Sequence, residues 1–145
     1  MALGREAIVA GYTVLSTGAM ELVANLAKAQ AAGRLEEQLA HYAKPKLLIV
    51  DELGYLPLEP DAAHLFFQLV SRRHERGAML VTSNRAVGEW GSVFGDAVIA
   101  TAILDRLLHH SHALPRMKRY PTLPLPRPVR YGRPGWTRRC CAIAA

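Results

Sequence analysis

The apolar positions of this chain fall into two kinds of stretch. Leu47, Leu48, Ile49 and Val50 run without alternation between Lys46 and the acids Asp51 and Glu52. A run this short and branched predicts a strand buried on both faces, the pattern of a parallel sheet covered by helices. Residues 78–82 (AMLVT) after Gly77 and residues 12–16 (YTVLS) after Gly11 read as two further short strands.

The second kind of stretch repeats at helical spacing. Residues 2–10 are good helix material that begins without an N-cap residue, and Gly11 ends them. Leu22, Val23, Leu26 and Ala27 predict a helix over 19–32, Gly33 punctuates it, and a shorter helix over 35–42 carries a charged face as far as Pro45. Pro60 and Asp61 suit a first turn, and Ala63, Phe66, Phe67 and Val70 form one stripe of a helix reaching Arg76. Arg72, Arg73 and Arg76 crowd its last turn, where cations favour the helix dipole. Residues 89–96 are turn-rich and hold Trp90 and Phe94. A last helix over 97–110 turns Ile99, Ala102, Ile103 and Leu107 inward. Strands alternating with helices predict a parallel α/β sheet with crossover helices.

In such sheets ligands bind at the carboxyl ends of the strands, and Asp51-Glu52 sits at that end of the central one. Adjacent acids suit a magnesium ion held with nucleotide phosphates, with Asp51 on the hydrated metal and Glu52 polarising a water. They equally suit a solvated acidic turn or a helix cap. The polar cluster Thr82-Ser83-Asn84 ends another strand. If the two strands are neighbours, Asn84 lies beside the acids, where its amide orients a water or touches a phosphate; alternatively it caps a polar turn. Arg106 follows Asp105 on the last helix and is read as pairing locally or pointing into a partner's site, with the local pair preferred. His109, His110 and His112 have no acid or cysteine nearby and read as a solvated helix end rather than a metal site.

Composition divides the chain in two. Residues 1–110 hold 10 Lys/Arg against 12 Asp/Glu, and residues 111–145 hold 8 Lys/Arg with no acid and six of the nine prolines. The basic excess of +6 therefore belongs to the tail, which is predicted to be extended or disordered. It could touch phosphates in a salt-dependent way, with Tyr120, Tyr131 or Trp136 stacking on unpaired bases; the alternative is a solvated tail without a partner. No run approaches the ~20 apolar residues of a membrane helix. Cys140 and Cys141 are adjacent and can neither staple a fold nor supply zinc spacing, which fits a reduced cytoplasmic setting.

Five blocks in order, 46–58 (KLLIVDELGYLPL), 65–77 (LFFQLVSRRHERG), 81–84 (VTSN), 89–96 (EWGSVFGD) and 102–110 (AILDRLLHH), resemble the IstB-like helper ATPases of insertion-sequence transposition. These are relatives of the DnaC helicase loaders within the AAA+ group, and the loader role is the nearest rival. The resemblance covers residues 2–112. It implies a parallel three-layer P-loop NTPase core with ATP and Mg2+ as cofactors. DNA, a transposase, and further copies or full-length helper subunits are the implied partners, with no membrane. By position, Asp51 and Glu52 match the Walker B pair, Asp51 reaching magnesium through water. Asn84 matches the sensor between nucleotide and water, and Arg106 matches a finger offered to a neighbour's nucleotide.

The chain also departs from that pattern. It contains no G-x-x-x-x-G-K-[ST] loop to cradle phosphates. Residues 2–10 resemble the second half of the helix that follows this loop, so the chain reads as an N-terminally truncated core lacking its first strand. The family's strand order puts that strand beside residues 81–84, so an apolar strand is expected to lie exposed at the sheet edge. The resulting division is a partial ATP-binding domain over 1–112 and a Pro/Arg-rich tail over 113–145. Such a chain is expected to bind ATP weakly and to hydrolyse it negligibly alone. Its alternative roles are a noncatalytic interaction or DNA-binding module, or a decayed relic.

Overall fold

A computed structural model describes residues 2–109 and 141–144 of the chain. The elements run α1 (Ala2–Val9), β1 (Val14–Gly18), α2 (Ala19–Ala31), α3 (Leu35–Ala43), β2 (Leu47–Leu53), α4 (Pro60–Arg73), β3 (Ala78–Ser83), α5 (Trp90–Phe94), α6 (Ala97–Leu108) and β4 (Cys141–Ala144). The strands form one parallel sheet in the order β1-β2-β3-β4. The predicted alternation is thus observed, with each predicted strand and helix present and boundaries shifted by a few residues. Among the described residues no helix is long and apolar enough to cross a membrane.

Parallel pairing buries β2 between two neighbours and two faces, which is why its apolar run lacks alternation. Leu48 and Val50 point into the main core with Met79 and Val81 of β3, against Leu22 and Leu26 of α2 and Phe66 and Val70 of α4. Ile49 lies on the opposite face beneath α1. There a Cβ added at Gly4 would stand 3.0 Å from Ile49 Cδ1, so the helix rests directly on the sheet. Helices therefore cover both faces, giving three layers.

The turn-rich stretch 89–96 resolves into a short helix whose two aromatics anchor it. Trp90 and Phe94 are fully buried, with ring centroids 5.9 Å apart, and Phe94 stacks on Phe66 at 5.7 Å. Asp96 then caps α6, its carboxylate accepting from the amides of Val98 at 2.7 Å and Ile99 at 3.2 Å.

Arg72 and Arg73 lie in the last turn of α4 as expected, and each also makes a specific contact. Arg73 is buried, and its guanidinium donates to the carbonyls of Tyr42, Ala43, Pro45 and Ala78 at 2.7–3.2 Å. It ties the end of α3, the entry to β2 and the start of β3 into one knot. Arg72 instead pairs with Glu36 of α3 at 2.7 Å, and α4 stops before Arg76. The cause is periodicity: Arg73 continues the stripe of Phe66 and Val70, so the helix aims it inward.

The edge beside β3 also differs from expectation. Instead of lying open, it is paired with Cys141–Ala144, in the register Leu80↔Cys141 to Ser83↔Ala144. An apolar strand with unpaired amides and carbonyls attracts any extended segment of suitable composition, and the apolar sequence Cys-Ala-Ile-Ala meets that requirement. The tail from 110 to 140, including its aromatic residues, His110 and His112, lies outside the described residues.

Candidate functional site

The acidic pair occupies an irregularity in the sheet. Val50 pairs with Val81 and Leu53 pairs with Ser83, so Asp51 and Glu52 together oppose the single residue Thr82. This is a β-bulge, which kinks a strand and re-aims its side chains. Glu52 takes up the extra residue with φ 62°, in the left-handed region that non-glycine residues enter at a cost of ~1–2 kcal/mol. Both acids are exposed at the rim of the sheet.

Thr82 closes the bulge. Its hydroxyl donates to Asp51 Oδ1 and accepts the amide of Glu52 at 3.1 Å. The same amide approaches Asp51 Oδ1 at 3.1 Å. One hydroxyl on β3 therefore fixes both the carboxylate of Asp51 and the turned peptide of Glu52. On the other side Asp51 pairs with Gly18 of β1, where an added Cβ would meet nothing within 4 Å, so this flank is open. Beyond the bulge Gly54 turns the chain away at φ 88°. A side chain there would crowd Arg85 Cγ and Val93 Cγ2, each at 3.1 Å, so only glycine fits both the backbone and the space. Leu58 then anchors the loop by donating its amide to the Val93 carbonyl at 2.7 Å.

Asn84 follows Ser83 directly, and Ser83 pairs with Leu53, so β2 and β3 deliver Asp51, Glu52 and Asn84 to one rim. Asn84 is exposed there. Ser83 itself is buried and accepts the Arg85 amide at 3.1 Å, which shapes the turn that carries Asn84. Arg106 is not at this rim. It lies half-buried on α6, donating to the Ala102 carbonyl at 3.1 Å with its guanidinium 4.6 Å from the centroid of the Phe67 ring on α4. Its local partner is thus a carbonyl and a ring rather than an acid. His109 is also remote from the rim, its ring 6.1 Å from that of His74.

Two carboxylates and a hydroxyl suit a hydrated magnesium ion, which takes one or two protein carboxylates and completes its octahedron with water and phosphate. Among the described residues no group of three or more His, Cys, Asp or Glu side chains could cage an ion by itself. The donor set therefore fits a shared, water-mediated ion rather than a protein-only site. Sequence reasoning missed Thr82 and the bulge. A hydroxyl closing an apolar strand beside Asn84 was a usable sign; a left-handed glutamate was not.

Comparisons with known proteins give the family. Residues 1–119 match the family of IstB-like ATP binding proteins. The chain is 49% identical over 111 residues to the ATP-binding protein of insertion sequence IS5376 from Geobacillus stearothermophilus, covering 77% of this chain and 44% of that protein. It is 49% identical over 114 residues to the ATP-binding protein of insertion sequence IS21 from Pseudomonas aeruginosa, covering 79% and 43%. The chain thus spans a little under half the length of these relatives. Among solved structures, a DNA replication initiation factor superposes with a TM-score of 0.59 at 19% identity, over 69% of this chain and 31% of that one. AMPPCP-bound DnaA from Aquifex aeolicus superposes at 0.57, also at 19% identity, over 68% and 31%. These two share the parallel α/β fold of this chain. On the extent of its match and the identity of its relatives, the chain belongs to the family of IstB-like ATP-binding proteins encoded by insertion sequences.

Proposed function

We propose that this chain carries the metal-and-water half of an ATP site in a helper protein of DNA transposition. The observation that carries the proposal is the bulge at the end of β2, which holds Asp51 and Glu52 together on the open rim of the sheet under the hydroxyl of Thr82. Both contacts to Asp51 use Oδ1. Asp51 would hold the hydrated magnesium, and Glu52, turned by its left-handed backbone, would polarise the attacking water. Asn84, one residue past β3, orients that water or meets the terminal phosphate. Magnesium, when bound, supplies charge neutralisation for the phosphates.

Arg106 acts across a subunit boundary in this reading. To reach a neighbour's nucleotide it must leave the Phe67 ring, which costs about 0.5–1 kcal/mol for a partly exposed cation–π contact. Partners are then DNA, a transposase, and further copies or longer helper subunits, in a cytoplasmic setting.

These 145 residues contain no glycine-rich phosphate loop. Backbone amides and a lysine from such a loop supply most of the charge-assisted bonds to a triphosphate. The polypeptide alone therefore binds ATP weakly and hydrolyses it negligibly. Calorimetric titration of the purified chain with MgATP tests this. The expected dissociation constant is weaker than ~1 mM, about 4 kcal/mol of binding, and a micromolar value would contradict the reading.

A further inference from the structure

Charge is divided between the two ends of the sheet. β2 and β3 start side by side, since the Ala78 amide donates to the Lys46 carbonyl at 2.9 Å just ahead of the Leu47↔Ala78 pair. This amino-end rim carries the loop that leaves α3, with Lys44 and Lys46, and the turn that leaves α4, with Arg76. All three cations are exposed, and Arg72 beside them is half-buried. The buried Arg73 clamps the loop to the turn through the carbonyls of Ala43, Pro45 and Ala78, so the backbone under these cations is a fixed frame. Arg72 and Arg76 also line an open depression of about 580 Å³ with Ser71, His74 and Glu75. Two polar atoms of that lining, Ser71 Oγ and Arg72 Nη1, are sheltered and have no hydrogen-bond partner among the described residues. Among the acids nearby, Glu36 is already paired with Arg72 at 2.7 Å, and Glu37 lines a separate groove with Lys28 and Arg34, which leaves Glu75. The opposite rim is the reverse: Asp51 and Glu52 end β2, and Glu59 and Asp61 open α4, all exposed. The helix dipole accounts for Arg72 in the last turn of α4, but not for two lysines in a loop or for Arg76 past the helix end.

We propose that the amino-end rim of the sheet seats the phosphodiester backbone of duplex DNA, with Lys44, Lys46 and Arg76 as its phosphate contacts. Point charges on flexible stems neutralise phosphates without reading bases, so the contact is independent of sequence. The acids of the carboxyl-end rim repel the same polyanion, so the field of the molecule orients DNA to the end away from the proposed ATP site. The inference deepens the proposed role by giving DNA its surface; it rests on DNA being a partner and not on the metal site.

Fluorescence anisotropy of a labelled 20-base-pair duplex against the full chain, at several salt concentrations and without nucleotide or magnesium, tests the inference. Lys46→Gln with Arg76→Gln should weaken binding about tenfold at low salt, and the slope of log K against log salt should become shallower by about 2, at ~0.9 per lost phosphate contact. Arg5→Gln with Arg85→Gln removes the same charge away from this rim and should keep the wild-type slope. The charge-keeping pair Lys46→Arg with Arg76→Lys should keep it as well. Equal losses in the two glutamine pairs would reduce the effect to net charge and overturn the inference. Undiminished binding by Lys46→Gln with Arg76→Gln would also overturn it while leaving DNA as a partner through another surface. No binding by the wild type at low salt would overturn both the inference and DNA as a partner. Inorganic phosphate at constant ionic strength separates a polyanion seat from a single-anion site: it should displace the duplex no better than chloride, and displacement at millimolar phosphate would contradict the duplex as ligand. On the unaltered chain, amide shifts induced by the duplex should centre on residues 43–47 and 74–78, and shifts confined to residues beyond 110 would overturn the assignment.

Discussion

Thr82 places one hydroxyl between the two acids, and the bulge depends on it. Thr82→Val keeps the shape and removes both bonds, leaving the Glu52 amide only its strained contact with Asp51. The expected loss is about 1–2 kcal/mol, read as a lower urea midpoint, whereas Thr82→Ser should stay near wild type. Equal midpoints for valine and serine would remove the hydroxyl from the account. Glu52 offers a sharper test, because its φ of 62° inverts an ordinary preference. At most positions alanine is more stable than glycine, yet here Glu52→Gly should exceed Glu52→Ala by about 1 kcal/mol in the same urea experiment. The usual order would show that the residue does not hold the left-handed conformation.

At the scale of elements, Arg73 joins three of them through their carbonyls. Arg73→Met should cost about 3 kcal/mol or more, since several carbonyl acceptors lose their donor in a buried place. Arg72→Ala, which breaks only the largely exposed pair with Glu36, should cost ~1 kcal/mol or less. Paired thermal melts compare the two, and similar losses would contradict the assignment. Gly77 belongs to the same knot, because a Cβ there would stand 2.8 Å from Arg73 Nη2. The helical stripe of Phe66 and Val70 already pointed to Arg73, but three arginines close together read more simply as a solvated helix end. The strands and helices were legible for a related reason: apolar runs and 3.6-residue spacing are the direct imprint of burial. The bulge was not, since it follows from how β2 is offset against β3, which neither strand encodes alone. Nor could spacing reveal that Arg106 rests on Phe67, 39 positions earlier in the chain.

For the whole molecule, the account joins the four-stranded parallel sheet of the described residues to a proposed ATP site, to which these residues would contribute the acidic side. The strand order brings Gly18, Asp51, Glu52 and Asn84 to one rim, and all the strands point their carboxyl ends toward it. The parallel architecture, rather than any single residue, is what makes the rim a place where phosphate and metal can meet. The measurement that bears most directly on this claim is paramagnetic broadening of the backbone amide spectrum by Mn2+, a stand-in for Mg2+, with triphosphate present. Broadening should centre on Gly18, Asp51, Glu52, Thr82 and Asn84 and should vanish in Asp51→Asn. Broadening centred on the histidines near the end of α6, or a pattern untouched by Asp51→Asn, would contradict the account.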